Sequence, residues 1–171
     1  MLFSEETKLK IKPPSGKTWS FGYNSLLPDA DDDGNARTDT YEVCLAVQAP
    51  RTAQDPTSTY AGLKFGVSPK GYIAVLTDAA GRVAIYDAHQ DPAVPLLDWR
   101  ALASPLPPAG RVNIIQVVVK AGSANVFVNG THLDAPPIAL GVPRSRIGVE
   151  VHSEEAKEDA WKLLWAAATE E

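Results

Sequence analysis

The densest run of metal-ligating side chains in the sequence is Asp29-Ala30-Asp31-Asp32-Asp33-Gly34-Asn35. Alternate carboxylates on a loop turned by glycine match the first half of a calcium loop, because calcium gathers about six to eight hard oxygens. In this reading Asp29, Asp31 and Asp33 bind through their carboxylates and Asn35 through its carbonyl. The second half departs from the pattern. Thr40 stands where such loops close with Glu, and Asp39 and Glu42 fall out of register. The flanks are Pro28 and aromatic strand rather than helices, so the run is not an EF-hand. The plain alternative is a solvated acidic loop. Like charges this close repel, which is an argument for a nearby cation.

Other catalytic signals are thin. There is no Gly-x-Ser-x-Gly elbow, no phosphate-cradling loop and no His/Cys metal spacing. His89, His132 and His152 fall on loops or strand ends. Cys44 is the only cysteine, which excludes an intrachain disulfide. It reads as a small buried apolar residue, with no local group to make it a thiolate. Glu42 and Glu150 are the acids on predicted strands. Glycoside cleavage needs two carboxyls about 5 Å apart for retention or about 6.5–9.5 Å for inversion. Nothing in the sequence requires these two to face each other, and no catalytic residue is assigned. Aromatics are the remaining handle, since flat apolar rings suit the C–H faces of sugars. Trp19, Tyr23, Tyr60, Tyr72 and Trp161 are the ligand-binding candidates; Tyr86 and Trp165 belong to the same pool, most of which should be core.

These residues must be held by short strands. Tyr41 to Ala49, Tyr60 to Val67, Tyr72 to Thr77 and Arg82 to Tyr86 read as strands, the last three as an antiparallel meander joined by turn sequences. Trp19-Ser20-Phe21-Gly22-Tyr23 alternates with three aromatics on one face. Arg111 to Lys120 is the strongest strand signal, being rich in β-branched residues. Asn129-Gly130 between apolar runs signals a hairpin, because a type I′ turn needs positive φ at both central residues. Asp87 to Gly110, with Pro92, Pro95, Pro105, Pro107 and Pro108, reads as a long crossover anchored by Trp99 in the core. Arg146 to His152 is a further strand. In the last segment Trp161, Leu164, Trp165 and Ala168 fit a helix, while Trp161, Leu163, Trp165 and Ala167 fit a strand. Propensity favours the helix, but a run of antiparallel strands calls for a closing strand, and the strand is the reading adopted.

Composition agrees. The 171 residues include 14 Pro and 12 Gly, which cut the chain into short pieces and disfavour long-helix bundles. Length predicts a single domain over 1–171 with enough chain to bury a core. A net charge of -5 argues against a nucleic-acid binder, which needs a basic face. No run approaches the ~20 apolar residues of a membrane-spanning helix. Met1 to Lys12 carries Glu5, Glu6, Lys8 and Lys10 without an apolar centre, so no signal peptide is predicted. The expected setting is the cytoplasm or a module excised from a larger protein. The oligomeric state is left open.

The order of words along the chain is Tyr60-Ala61-Gly62-Leu63-Lys64-Phe65, Gly71-Tyr72-Ile73-Ala74-Val75, Leu97-Asp98-Trp99, Gly110-Arg111-Val112-Asn113, Val126-Phe127-Val128-Asn129-Gly130 and Arg146-Ile147-Gly148-Val149. This order resembles the concanavalin A-like lectin/glucanase superfamily, closest to its laminin G-like and keto-disaccharide hydrolase-like jelly rolls. The resemblance covers roughly Tyr41 to Ala167. It implies an all-β, two-sheet antiparallel jelly-roll sandwich. The Glu-x-Asp-x-x-Glu signature of the related endo-glucanases is missing. The implied function is therefore a non-catalytic binding module with carbohydrate as default ligand. The alternatives are a glycoside hydrolase-like enzyme acting on a modified disaccharide, and an assembly protein that binds a protein partner. For the acidic loop, millimolar calcium is expected to raise the melting temperature, and Asp31→Ala with Asp33→Ala to abolish that rise. A wild-type melt indifferent to calcium removes the metal.

Overall fold

The computed structural model describes residues 3–5, 9–11, 17–23, 40–53, 55–102, 112–140, 146–153 and 161–170. Every regular element among them is a strand. In chain order they are β1 (Phe3–Glu5), β2 (Leu9–Ile11), β3 (Lys17–Tyr23), β4 (Tyr41–Gln48), β5 (Tyr60–Ser68), β6 (Gly71–Asp78) and β7 (Arg82–Asp87). There follow β8 (Val94–Ala101), β9 (Val112–Lys120), β10 (Ser123–Val128), β11 (Thr131–His132), β12 (Ile138–Ala139), β13 (Arg146–Ser153) and β14 (Trp161–Glu170). One sheet has the order β1-β14-β4-β9-β10-β11, with β2 on β14 and β12 on β10; the other runs β3-β13-β5-β6-β7-β8. All pairings are antiparallel.

Successive side chains of a strand point to opposite faces, and both sheets use this to share one apolar interior. From the larger sheet, Val43, Leu45 and Val47 of β4 and Ile115, Val117 and Val119 of β9 point inward. From the smaller sheet, Ala61, Leu63 and Phe65 of β5 and Ile147, Val149 and Val151 of β13 meet them. The β-branched run predicted over Arg111 to Lys120 is β9, lying between β4 and β10 inside its sheet.

The turns follow the residues that permit them. Ala121 and Gly122 between β9 and β10 have φ of 48° and 73°, and Asn129 and Gly130 between β10 and β11 have 50° and 77°. Positive φ at both central positions matches the right-handed twist of the flanking strands. Asn129 also ties the turn down. Its Oδ1 accepts the Ile114 amide at 2.8 Å, and its Nδ2 donates to Asn113 Oδ1 at 3.2 Å.

Two segments differ from expectation. The predicted crossover contains β8, paired to β7 at the outer edge of the described smaller sheet. Proline cannot donate to a ladder, yet an edge strand needs only one bonded side, so Pro95 fits there. The closing segment is the strand that was expected, but its inward set is Trp161, Leu163, Ala166 and Ala168. A bulge between Leu163 and Trp165 switches the phase, which explains why neither simple period fitted. Cys44 also departs from its expected place. It is half-buried, and its thiol donates to Glu42 Oε1 at 3.4 Å on the outward face of the larger sheet. Gln116 Nε2 donates to that same oxygen at 2.8 Å.

Two outcomes follow from this placement. Ile115 is fully buried while its neighbour Ile114 is 41% exposed. Ile115→Ala should cost about 2–5 kcal/mol of unfolding free energy and Ile114→Ala under about 1 kcal/mol, read by urea denaturation. Equal losses would refute the facing of β9. Burial, reinforced by the hydrogen bond to Glu42 and its charge, pushes the Cys44 thiol up to about 12. Near about pH 8 a thiol reagent should therefore react at least ~100-fold more slowly with the folded chain than with the urea-unfolded one.

Candidate functional site

The outward face of the smaller sheet is where unlike side chains converge. Because Ala61, Leu63 and Phe65 of β5 point inward, Tyr60, Gly62 and Lys64 point outward. On β6 the outward set is Tyr72, Ala74, Leu76 and Asp78; on β7 it is Arg82, Ala84 and Tyr86; on β13 it includes Glu150 and His152. Small residues occupy the middle: Gly62 is in register with Leu76 and with Glu150, and Ala74 with Tyr86. A Cβ at Gly62 would collide with the Val75 carbonyl oxygen, so this close approach of strands requires glycine.

Aromatic rings stand around this low floor. Tyr60 stacks on His152 with centroids 4.9 Å apart and planes 14° apart. Trp99, projecting from β8, lies tilted against Tyr60 at 5.9 Å and Tyr86 at 6.5 Å. Between them opens a cleft of about 240 Å³ whose walls include Tyr60, Tyr72, Tyr86 and Trp99, with Ala74 and Leu76 beneath and Glu150 at its side.

An ion pair and a phenol sit together at one side of the cleft. Glu150 Oε2 accepts the Tyr72 hydroxyl at 2.9 Å and faces Lys64 Nζ at 3.8 Å. Lys64 Nζ also lies 3.6 Å from the centroid of the Tyr72 ring, a cation–π contact. Lys64 and Glu150 are both buried. Burial pulls the Lys64 ammonium below the usual lysine range, against the opposing attraction of Glu150. Burial likewise pushes the Tyr72 phenol upward, and the Glu150 charge and hydrogen bond add to the shift. Tyr72 is thus held as a hydrogen-bond donor.

A second ion pair lies toward β8. Asp78 is 1% exposed; its Oδ2 accepts Arg82 Nε at 2.6 Å and its Oδ1 accepts the Arg82 amide at 2.8 Å. Arg82 reaches on to the Thr57 carbonyl at 3.3 Å, and its guanidinium carbon lies 5.4 Å from the Trp99 ring centroid. The pair therefore clamps β6 to β7 and supports Trp99 from one side. The Tyr86 phenol is raised by burial first and then by Asp98, whose carboxylate accepts its hydrogen bond.

The candidates read from sequence separate clearly. Tyr60 and Tyr72 line the cleft. Trp161 does not: it is 1% exposed, in the core of the opposite sheet, and belongs to packing rather than to a ligand face. Trp19 and Tyr23 lie on β3, in register with Val151 and Ile147. Asp29, Asp31, Asp33 and Asn35 fall outside the described residues. Among the described residues no group of three His, Cys, Asp or Glu is placed to hold a metal ion. Glu42 and Glu150 lie in different sheets, each outward, so they form no facing pair. Trp99 is half-buried on this outer surface instead of plugging the core. Sequence reading missed it because the prolines hid β8, and because irregular pairing with β7 breaks the alternation that would set Trp99 on the same side as buried Leu97. Tyr86, named in the aromatic pool, also lines the cleft, whereas Lys64 and Arg82 became site residues only once three strands were placed side by side.

Solved structures share this architecture. A GH43 protein from Bacillus licheniformis superposes with a TM-score of 0.58 at 9% identity, over 78% of this chain and 28% of that one. A β-fructofuranosidase from Schwanniomyces occidentalis, complexed with fructosyl-erythritol, does so with a TM-score of 0.56 at 12% identity, over 99% of this chain and 33% of that one. A xylan β-1,4-xylosidase from Bacillus halodurans gives 0.55 at 12% identity, over 78% and 28%. The chain thus spans 28–33% of the length of these proteins. No protein-family model and no curated protein matches it in sequence. With two face-to-face antiparallel sheets, the chain is an all-β jelly-roll sandwich, a fold it shares with part of each of these proteins.

Proposed function

We propose that the protein is a non-catalytic, lectin-like binding module whose cleft on the smaller sheet takes carbohydrate. One observation carries this reading: aromatic rings from β5, β6, β7 and β8 converge around a floor of small residues, with a carboxylate alongside. Flat apolar rings match the C–H faces of a pyranose, and polar groups at the edge fix its hydroxyls. The volume of about 240 Å³ is below the range of about 300–1,000 Å³ common for drug-sized ligands, so one or two sugar units fit best. The solved structures that share the fold are named for action on saccharides, which supports the same ligand class.

A second reading is favoured by length. The chain corresponds to 28% of the GH43 protein and 33% of the fructofuranosidase, so it also suits an accessory sandwich of a larger glycoside hydrolase. Cleavage by this face alone is not favoured, because the described carboxylates near Glu150 are engaged: Asp78 holds Arg82 and Asp98 accepts the Tyr86 hydroxyl.

The test is a glycan array followed by calorimetry. Trp99→Ala and Tyr60→Ala should each weaken binding at least ~10-fold while leaving the circular dichroism spectrum unchanged. Ile114→Ala, on the opposite outer face, should leave affinity unchanged. A folded wild type that binds no glycan on the array overturns the proposal; a stable oligomer in sizing would then favour the assembly role.

A further inference from the structure

Resting on the carbohydrate reading above, the cleft's charges say which sugars it takes. We infer that Glu150 is the specificity-determining residue of the cleft, and that it selects uncharged sugars and rejects acidic ones.

The argument begins with where the charges go. Among the described residues, the two cations beside the cleft each have a carboxylate. Arg82 Nε is 2.6 Å from Asp78, and Lys64 Nζ is 3.8 Å from Glu150. Lys64 is further occupied by the Tyr72 ring. Asp98, bonded to the Tyr86 hydroxyl, adds one more carboxylate behind the wall. Among the described residues that line the cleft, Glu150 is the one charged group, so the site presents an anion. A uronate or a sulfated sugar would bring a second anion into a partly desolvated site whose cations are committed, and like charges at short range repel.

Glu150 is also built to accept. Tyr72 and Lys64 both approach the same oxygen, Oε2. Among the described residues neither contact uses Oε1, and Glu150 forms part of the cleft wall. Its side chain is only 9% exposed, so the carboxylate is held in place by the sheet rather than swinging in solvent. A carboxylate accepts bonds and donates none, so a sugar must bring hydrogens to it. Neutral hydroxyls do this, and adjacent ones on a ring do it best. Charge-assisted bonds of this kind are the stronger class, which makes Glu150 the polar contact with most effect on affinity. Tyr60 and Trp99, which also line the cleft, supply apolar faces against which the ring would lie.

The experiment takes the best-binding neutral glycan from the array and compares it with its uronate counterpart at about pH 8, by calorimetry. The expected result is at least ~10-fold weaker binding of the uronate. Glu150→Gln should weaken the neutral glycan by ~10-fold or more and narrow the gap between the two ligands. Because that change strands Lys64, the double variant Lys64→Met with Glu150→Gln serves where the single one fails to fold, with the same loss expected. Equal or tighter binding of the uronate, or neutral-glycan affinity unchanged in a folded Glu150 variant, overturns the selectivity while leaving the carbohydrate reading intact. Absence of binding to every glycan overturns both.

Discussion

The pleat of a strand sends neighbouring side chains to opposite sides, and in this protein both sides are committed. Leu63 lies in the dry interior between the sheets, so Gly62 and Lys64 are forced outward on either side of it. Ile73 and Val75 do the same for Tyr72, Ala74 and Leu76 on the adjacent strand. A slip of one residue would bury Lys64 in the core and expose Leu63, a change no nearby contact could offset. The apolar interior therefore sets register, and register sets the geometry of the outer face. Side chains that touch no core residue are nevertheless positioned by it.

The cleft shows how such a face accommodates groups that dislike burial. Lys64 and Glu150 lose water where strands, rings and their own neighbours crowd them, and each offsets part of the other's loss. The pair is weak evidence of stability, since apolar residues of like size often do as well. It is better understood as an arrangement kept for what it presents. Arg82 and Asp78 have a more mechanical role. The buried carboxylate takes both the backbone and the side chain of Arg82, which closes the β6–β7 turn and sets the guanidinium beside Trp99.

The two outer faces of the sandwich are not equivalent. On the larger sheet, Glu42 gathers the Gln116 amide and the Cys44 thiol into a small polar cluster, with Ile114 and Val112 exposed nearby. On the smaller sheet, glycine and alanine at the centre let tall rings from neighbouring strands lean over a common hollow. The contrast arises from side-chain size at a few outward positions, since both faces have the same pleat.

Much of the architecture was legible in the residues themselves. Alternation over Tyr41 to Gln48 and the β-branched run over Val112 to Lys120 are local patterns, and a strand's two faces are written directly in them. Asn129-Gly130 named its turn because few other pairs tolerate positive φ twice. Local pattern failed where geometry was irregular. The bulge near Trp165 shifted the phase of β14, and the prolines around β8 concealed an edge strand. Trp161 and Trp99 accordingly exchanged their expected places, one entering the core and the other reaching the outer face. Tyr60, Tyr72 and Tyr86 were named in the aromatic pool by type alone, whereas Lys64 joined them only through pairing, which also set Glu150 beside Tyr72 instead of opposite Glu42. Glu150 is 78 residues from Tyr72 along the chain yet one hydrogen bond away in space. Periodicity acts between neighbours a few residues apart, so the chain carried its own strands and turns. Which strands lie side by side depends on the total burial of all of them, and only that sum brought the cleft together.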